Sequence, residues 1–178
     1  FNMVMNFELA TQRLRLKPIL ASDSIALHNI FVDPYVRKYL CDDLVWSLEQ
    51  VEEMSLESQN LFDTKKFGLW FIETKDQQQI IGFVGLWYFF DEEQPQLVYA
   101  LLPKATKKGY ATEASVKIVE YCFNKLGYRY VLASCDQPNL ESKKVAERIG
   151  MSKVEERVIN GNPIVFFKIE DSRTSTVE

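Results

Sequence analysis

Tyr99 to Ala114, YALLPKATKKGYATEA, holds the residue types and spacing best suited to chemistry. The apolar run Tyr99-Ala-Leu-Leu102 stops at Pro103. A short polar loop bearing Lys104, Lys107 and Lys108 follows, and Gly109 opens Tyr110-Ala-Thr-Glu-Ala114, the start of a helical pattern. The expected geometry is a strand, a loop and a helix N-terminus. The first N–H groups of a helix have no partner within it and carry the positive end of its dipole. A loop that aims them at one point makes an anion site, usually for phosphate. The lysines add positive charge there, in a chain whose net charge is −4.

The elements around this stretch follow from periodicity and caps. Thr11–Leu20 alternates polar and apolar residues, as a strand with one wet face does. Ser22 or Asp23 caps a helix through Phe31, with Ile25, Leu27 and Ile30 on its apolar side. Asp33-Pro34 starts a short helix that buries Val36, Tyr39 and Leu40, and Cys41–Trp46 is a loop. Ser47-Leu-Glu-Gln50 is a capping box for a helix to about Phe62. Phe67–Thr74 and Gln79–Phe90 are strands around the turn Lys75–Gln78, and Gly82 and Gly85 mark a bulge or a close backbone approach. After the solvated Asp91–Pro95, the strand Gln96–Leu102 enters the anion loop. Gly109–Leu126 is a helix whose core stripe reads Val116, Val119, Cys122, Phe123 and Leu126. A strand at Tyr128–Cys135 and a helix at Pro138–Ile149 come next. Strands Met151–Ile159 and Asn162–Glu170 are joined by Asn160-Gly161, a type I′ hairpin signal. Hairpins in the middle of the chain imply antiparallel pairing, and the later strand–helix–strand passages allow parallel pairing. The class is a mixed α/β sheet flanked by helices, not a doubly wound sheet.

At 178 residues, the chain 1–178 reads as a single domain with a sizeable core and a frayed tail over 171–178. The acidic balance argues against a general nucleic-acid binder, which needs basic groups to neutralise phosphate. Cys41, Cys122 and Cys135 are widely spaced, and His28 is the only histidine, so no metal site is expected. Free thiols fit a reducing, cytoplasmic setting. No run reaches the roughly 18 apolar residues of a membrane span, and Phe1–Ala10 lacks the basic region of a secretory signal.

These segments together resemble the GNAT-superfamily N-acetyltransferases, specifically the Rim-type branch of ribosomal-protein N-terminal acetyltransferases. The resemblance is carried by Thr11–Pro18, Asp33–Val36 with Tyr39-Leu40, Ile81–Leu86, Leu102-Pro103 with Lys108–Ala114, and Asn139–Ser142 leading to Arg148-Ile-Gly-Met151. It implies a mostly antiparallel seven-stranded sheet with about five helices, splayed between its fourth and fifth strands. It also implies acetyl-CoA as the cofactor, CoA as product, and an amine acceptor, either a protein or peptide N-terminus or a small molecule. Partners would not include nucleic acid or membrane, and a monomer or homodimer is expected. The family's phosphate loop, Q/R-x-x-G-x-G/A, falls on Thr106, Gly109 and Ala111. Thr106 departs from it, and Lys107 stands where the branch usually has Gly.

By the same resemblance, the cofactor is held by Leu101, Leu102, Lys107, Lys108, Gly109, Tyr110, Ala111, Thr112 and Asn139. A free N–H near Leu101 would polarise the thioester carbonyl. Asn139 and Ser142 are three apart at a helix start and share a face. Asn139 would hold the pantetheine arm, while also serving as a helix cap, and Ser142 would protonate the leaving sulfur. Cys135, seven residues before Ser142, would line the site or fill a buried strand end. The tyrosine that many relatives place one turn past this serine is replaced by Val145 and Ala146. A base is not evident: Gln96 stands where a Glu is common, and Asp42, Asp43, Asp91, Glu92, Glu93 and His28 are the nearby titratable groups. Two other readings remain: a CoA-binding regulatory module without turnover, and an interaction domain without cofactor.

Overall fold

The computed structural model describes residues 7–174. In chain order the elements are β1 (Leu9–Ala10), β2 (Leu14–Pro18), α1 (Ser24–Phe31), α2 (Pro34–Leu40), α3 (Leu48–Lys65), β3 (Leu69–Thr74), β4 (Ile80–Trp87) and β5 (Gln96–Leu101). They continue with α4 (Tyr110–Asn124), β6 (Tyr130–Asp136), α5 (Leu140–Arg148), β7 (Ser152–Ile159) and β8 (Asn162–Glu170). One sheet of eight strands runs β1-β2-β3-β4-β5-β6-β8-β7. The eighth strand is β1, whose two residues pair with Leu16 and Arg15 of β2 and are too short to leave a periodic signal. All neighbours are antiparallel except β5 and β6, which are parallel and in register only at Leu97 and Ala133. That lapse is the expected splay.

Local chemistry explains most element ends. Asp33 Oδ1 accepts from the amides of Tyr35 and Val36 at the start of α2. Ser47 and Gln50 form the capping box of α3. Asn160 and Gly161 both take positive φ (52° and 82°), as a type I′ turn requires. Both glycine approaches in β4 are present. A Cβ on Gly82 would lie 2.0 Å from the Ala100 carbonyl oxygen, and one on Gly85 2.2 Å from that of Gly68. A bulge accompanies them: Ile72 pairs with Gly82 and Glu73 with Ile80, leaving Ile81 extra. Strand β4 ends at Trp87 and not at Phe90, since the chain turns through left-handed Phe90 and Asp91 (φ 55° each).

The strands alternate between two cores. Trp70, Ile72, Leu97, Leu101, Val131 and Val165 face α4 and α5, while Leu69, Phe71, Phe83 and Ala100 face α1, α2 and the start of α3. Trp70, Phe62, Phe67 and Phe83 are almost wholly buried, each such side chain contributing about 1.5–3 kcal/mol. Helix α4 buries Ala111, Ala114, Ser115, Ile118, Val119 and Cys122. The expected stripe holds at Val119 and Cys122, and Phe123 and Leu126 pack at its margin, but Val116 is exposed. Small residues let α4 lie close to the sheet, and a pattern built on large side chains misses them. Ile25 is likewise exposed, because α1 turns Leu27, Ile30 and Phe31 inward. Asp171 is buried and accepts from Arg173; of the tail expected over 171–178, residues 175–178 lie outside the described residues. Among the described residues, no helix is long and apolar enough to cross a membrane.

Candidate active site

The lapse between β5 and β6 opens a cleft of about 860 Å³. Its walls are stiff: the β4–β5 ladder is intact to Gly82–Leu101, and the β6–β8 ladder runs from Tyr130 to Asp136. The Leu102 amide donates to the Ile81 carbonyl (2.8 Å). Because antiparallel donors alternate along a strand, the Leu101 N–H points the other way, toward β6 and the gap.

The anion loop closes one end of the cleft. Gly109 (φ 81°) and Lys107 (φ 62°) are both left-handed, so the backbone reverses twice just before α4. The left-handed Lys107 accounts for the glycine usual at that position in the family pattern. Thr106 Oγ1 donates to the Pro103 carbonyl (2.7 Å) and holds the loop's first turn. Of the residues proposed for the cofactor, Leu101, Lys107, Gly109, Tyr110, Ala111, Thr112 and Asn139 line the cleft. Leu102 and Lys108 do not: the Leu102 amide is spent on β4, and the Lys108 carbonyl accepts from Arg13 Nη1 (2.9 Å).

Across the gap, Asn139 caps α5 by accepting from the Ser142 amide (3.2 Å). Ser142 Oγ lies 3.3 Å from the Tyr99 hydroxyl on β5. Tyr99 therefore brings to the serine, from the strand, the phenol that Val145 and Ala146 cannot supply from the helix. Burial pushes the Tyr99 phenol up to about 12, opposed by its bond to Ser142 and helped by Cys135, Tyr35 and Glu141. Sequence reasoning read Tyr99 only as part of an apolar strand. Its one available signal was a hydroxyl-bearing residue at the only β5 position between Leu97 and Leu101 on the α4–α5 face.

Cys135 lines the same cleft. Burial raises its thiol to about 11, with Lys143 opposing and Asp136 reinforcing. It is held as a neutral thiol, poorly suited to nucleophilic attack.

The cleft passes through the sheet, so it is lined from both faces. On the α1–α2 side it meets Tyr35, Lys38, Tyr39, Asp42, Phe90 and Asp136. Burial and the nearby charge of Asp42 raise the Asp136 carboxyl above its ordinary value. The other suggested bases lie elsewhere. Asp43 pairs with Arg37 (3.2 Å) and Glu92 with Arg157 (2.8 Å). His28 Nε2 is bonded to the Trp46 carbonyl (2.9 Å), and neither His28, Asp91 nor Glu93 lines the cleft. Gln96 is fully buried and its Oε1 accepts from Ser134 Oγ (2.7 Å). The aromatic residues at the mouth are Tyr35, Tyr39, Phe89 and Phe90, while Trp70 is core and Trp46 stacks on Phe31.

Residues 13–152 match the family described as acetyltransferase (GNAT) domain. The chain belongs to that family. The acetyltransferase is 27% identical over 146 residues to the uncharacterized N-acetyltransferase YoaA of Bacillus subtilis, covering 82% of each chain. Its fold is similar to that of the ribosomal-protein-S5-alanine acetyltransferase of Vibrio fischeri (TM-score 0.75, 17% identity, 93% of this chain and 97% of that one). It is also similar to the microcin C7 self-immunity acetyltransferase MccE, solved in complex with acetyl-CoA and AMP (TM-score 0.73, 17% identity, 90% and 94%).

Proposed function

We propose that this acetyltransferase transfers an acetyl group from acetyl-CoA to a primary amine by direct attack of the amine nitrogen on the thioester. The observation that carries the reading is the gap between β5 and β6, which joins the anion loop at Gly109 to the Tyr99–Ser142 hydroxyl pair in one cleft.

The residues present suit the cofactor. The unpaired amides at the start of α4 suit a diphosphate, and Gly109 supplies the left-handed φ that leads into them. Asn139 and the Leu101 edge of β5 would hold the pantetheine arm. Acetyl-CoA supplies an activated acyl group and a thiolate leaving group. The Leu101 N–H then offers a donor to the developing oxyanion. Ser142 donates its proton to the departing sulfur and regains one through its hydrogen bond with Tyr99, and the proton that the attacking nitrogen sheds as the amide forms recharges the pair. The neutral Cys135 borders this path and shapes it.

The acceptor enters from the α1–α2 side, past Tyr35 and Phe90. Asp136 takes the ammonium proton there, its carboxyl raised by burial first and by the charge of Asp42 second. The acidic, aromatic mouth favours a cationic amine, whether a peptide N-terminus or a small molecule. The test follows thiol release from acetyl-CoA against a panel of N-terminal peptides and small amines. Amine-dependent release supports the reading. Tight CoA binding without release on any amine would replace it with a regulatory CoA-binding module.

A further inference from the structure

Arg13 and Glu113 meet 100 residues apart in sequence, on the far side of the anion loop from the cleft. Arg13 Nε donates to Glu113 Oε1 (2.7 Å), and the Arg13 amide donates to Oε2 (3.0 Å). Thr11 Oγ1 also donates to Oε2 (2.5 Å). The second arm of the guanidinium, Nη1, donates to the Lys108 carbonyl (2.9 Å). Its plane lies over the Tyr110 ring, 4.4 Å from the centroid. Neither Arg13 nor Glu113 lines the cleft.

Two consequences follow for the loop. A trans peptide is planar, with its C=O and the next N–H on opposite sides. Drawing the Lys108 carbonyl toward Arg13 therefore turns the Gly109 N–H away from Arg13, to the side where an anion would sit. Glu113 is also an acidic residue in the first turn of α4. Uncompensated, its charge would repel a phosphate at that helix end. Three donors occupy it instead, one of them the Arg13 guanidinium. The same tie secures a backbone held left-handed at Lys107 and Gly109.

We propose that Arg13 is a positioning residue for the anion loop: anchored by Glu113, it sets the Lys108–Gly109 peptide and cancels the carboxylate, so that diphosphate affinity depends on a side chain outside the cleft. This rests on reading the cleft as an acetyl-CoA site. The test compares the parent with Arg13→Gln and Arg13→Lys. It measures CoA affinity by calorimetry, and turnover with acetyl-CoA and with S-acetyl-pantetheine, a donor lacking the diphosphate.

Arg13→Gln is expected to weaken CoA about tenfold, as loss of a charge-assisted hydrogen bond does. S-acetyl-pantetheine turnover and the KM of the amine should stay unchanged. Arg13→Lys should recover part of the affinity, since it restores charge without the fork. It also serves as the working variant if Arg13→Gln does not fold. Unchanged CoA affinity in a parent that binds CoA overturns the positioning role alone, as does an equal loss with both donors. A parent that does not bind CoA overturns the cofactor reading and this proposal with it.

Discussion

The Tyr99 hydroxyl stands 3.3 Å from the Ser142 hydroxyl, joining strand β5 to the first turn of α5 across the gap in the sheet. Ser142 is fixed by its backbone N–H, which donates to Asn139 Oδ1, and Tyr99 by a strand whose other edge is fully paired. The two hydroxyls form a hydrogen-bonded pair, and burial keeps the phenol neutral.

If this pair delivers the proton to sulfur, Ser142→Ala should lower kcat by about a hundredfold, within the range of general acid catalysis. Tyr99→Phe removes only the resupply and should lower kcat by about tenfold. Both should leave CoA affinity near that of the parent. Stopped-flow thiol release and equilibrium titration check this. A Ser142→Ala enzyme at full rate removes the serine from the chemistry.

The sequence made the loop legible because its signals are local: an apolar run, a proline, a glycine and a helical pattern within sixteen residues. The hairpin at Asn160-Gly161 and the caps at Asp33 and Ser47 are legible for the same reason. What escaped was non-local. Tyr99 meets Ser142 across 43 residues and Arg13 meets Glu113 across 100, and neither spacing leaves a periodic mark. Arg13 reads as one polar tooth of an alternating strand. Asp136 reads as the end of a strand until α2 brings the Asp42 loop beside it. The rotation of α4 is not legible at Val116, because alanine and serine carry the contact.

Asp136 yields a prediction about pH. Its carboxyl is raised by burial first and by Asp42 second. As the base, it must be ionised, so kcat/KM should rise with pH through this raised value. Asp42→Asn removes the like charge, lowers the Asp136 carboxyl and moves the acid limb to lower pH. Asp136→Asn should abolish that limb and lower the neutral-pH rate by about a hundredfold. The profile of kcat/KM for the amine decides it. An acid limb unmoved in both variants assigns the base elsewhere.

Lys107 tests the backbone of the loop. At φ 62° a side chain with a Cβ costs about 1 kcal/mol relative to glycine. Lys107→Gly relieves this while gaining unfolded-state entropy of similar size, so stability should change by no more than about 0.5 kcal/mol. Lys107→Val puts a β-branched residue in the same conformation and should destabilise by about 1–2 kcal/mol. Urea unfolding of the three proteins separates them. Equal stability of the valine variant would mean that the loop adopts another conformation in solution.

Glu113 links the clasp to acid stability. Burial alone would raise its carboxyl, but the bonds from Thr11 and Arg13 and the guanidinium charge outweigh burial and hold it below its ordinary 4.5. A carboxyl whose value falls on folding binds fewer protons in the native state than in the unfolded chain. Its contribution is therefore complete above 4.5 and drains away as pH falls through the depressed folded value. Glu113→Gln cannot be protonated, so its stability deficit relative to the parent should be largest near neutrality and shrink on acidification. Thermal unfolding from pH 7 to pH 3, for both proteins in the same buffers, measures that difference. A deficit that stays constant with pH would show that Glu113 is held by shape and not by charge.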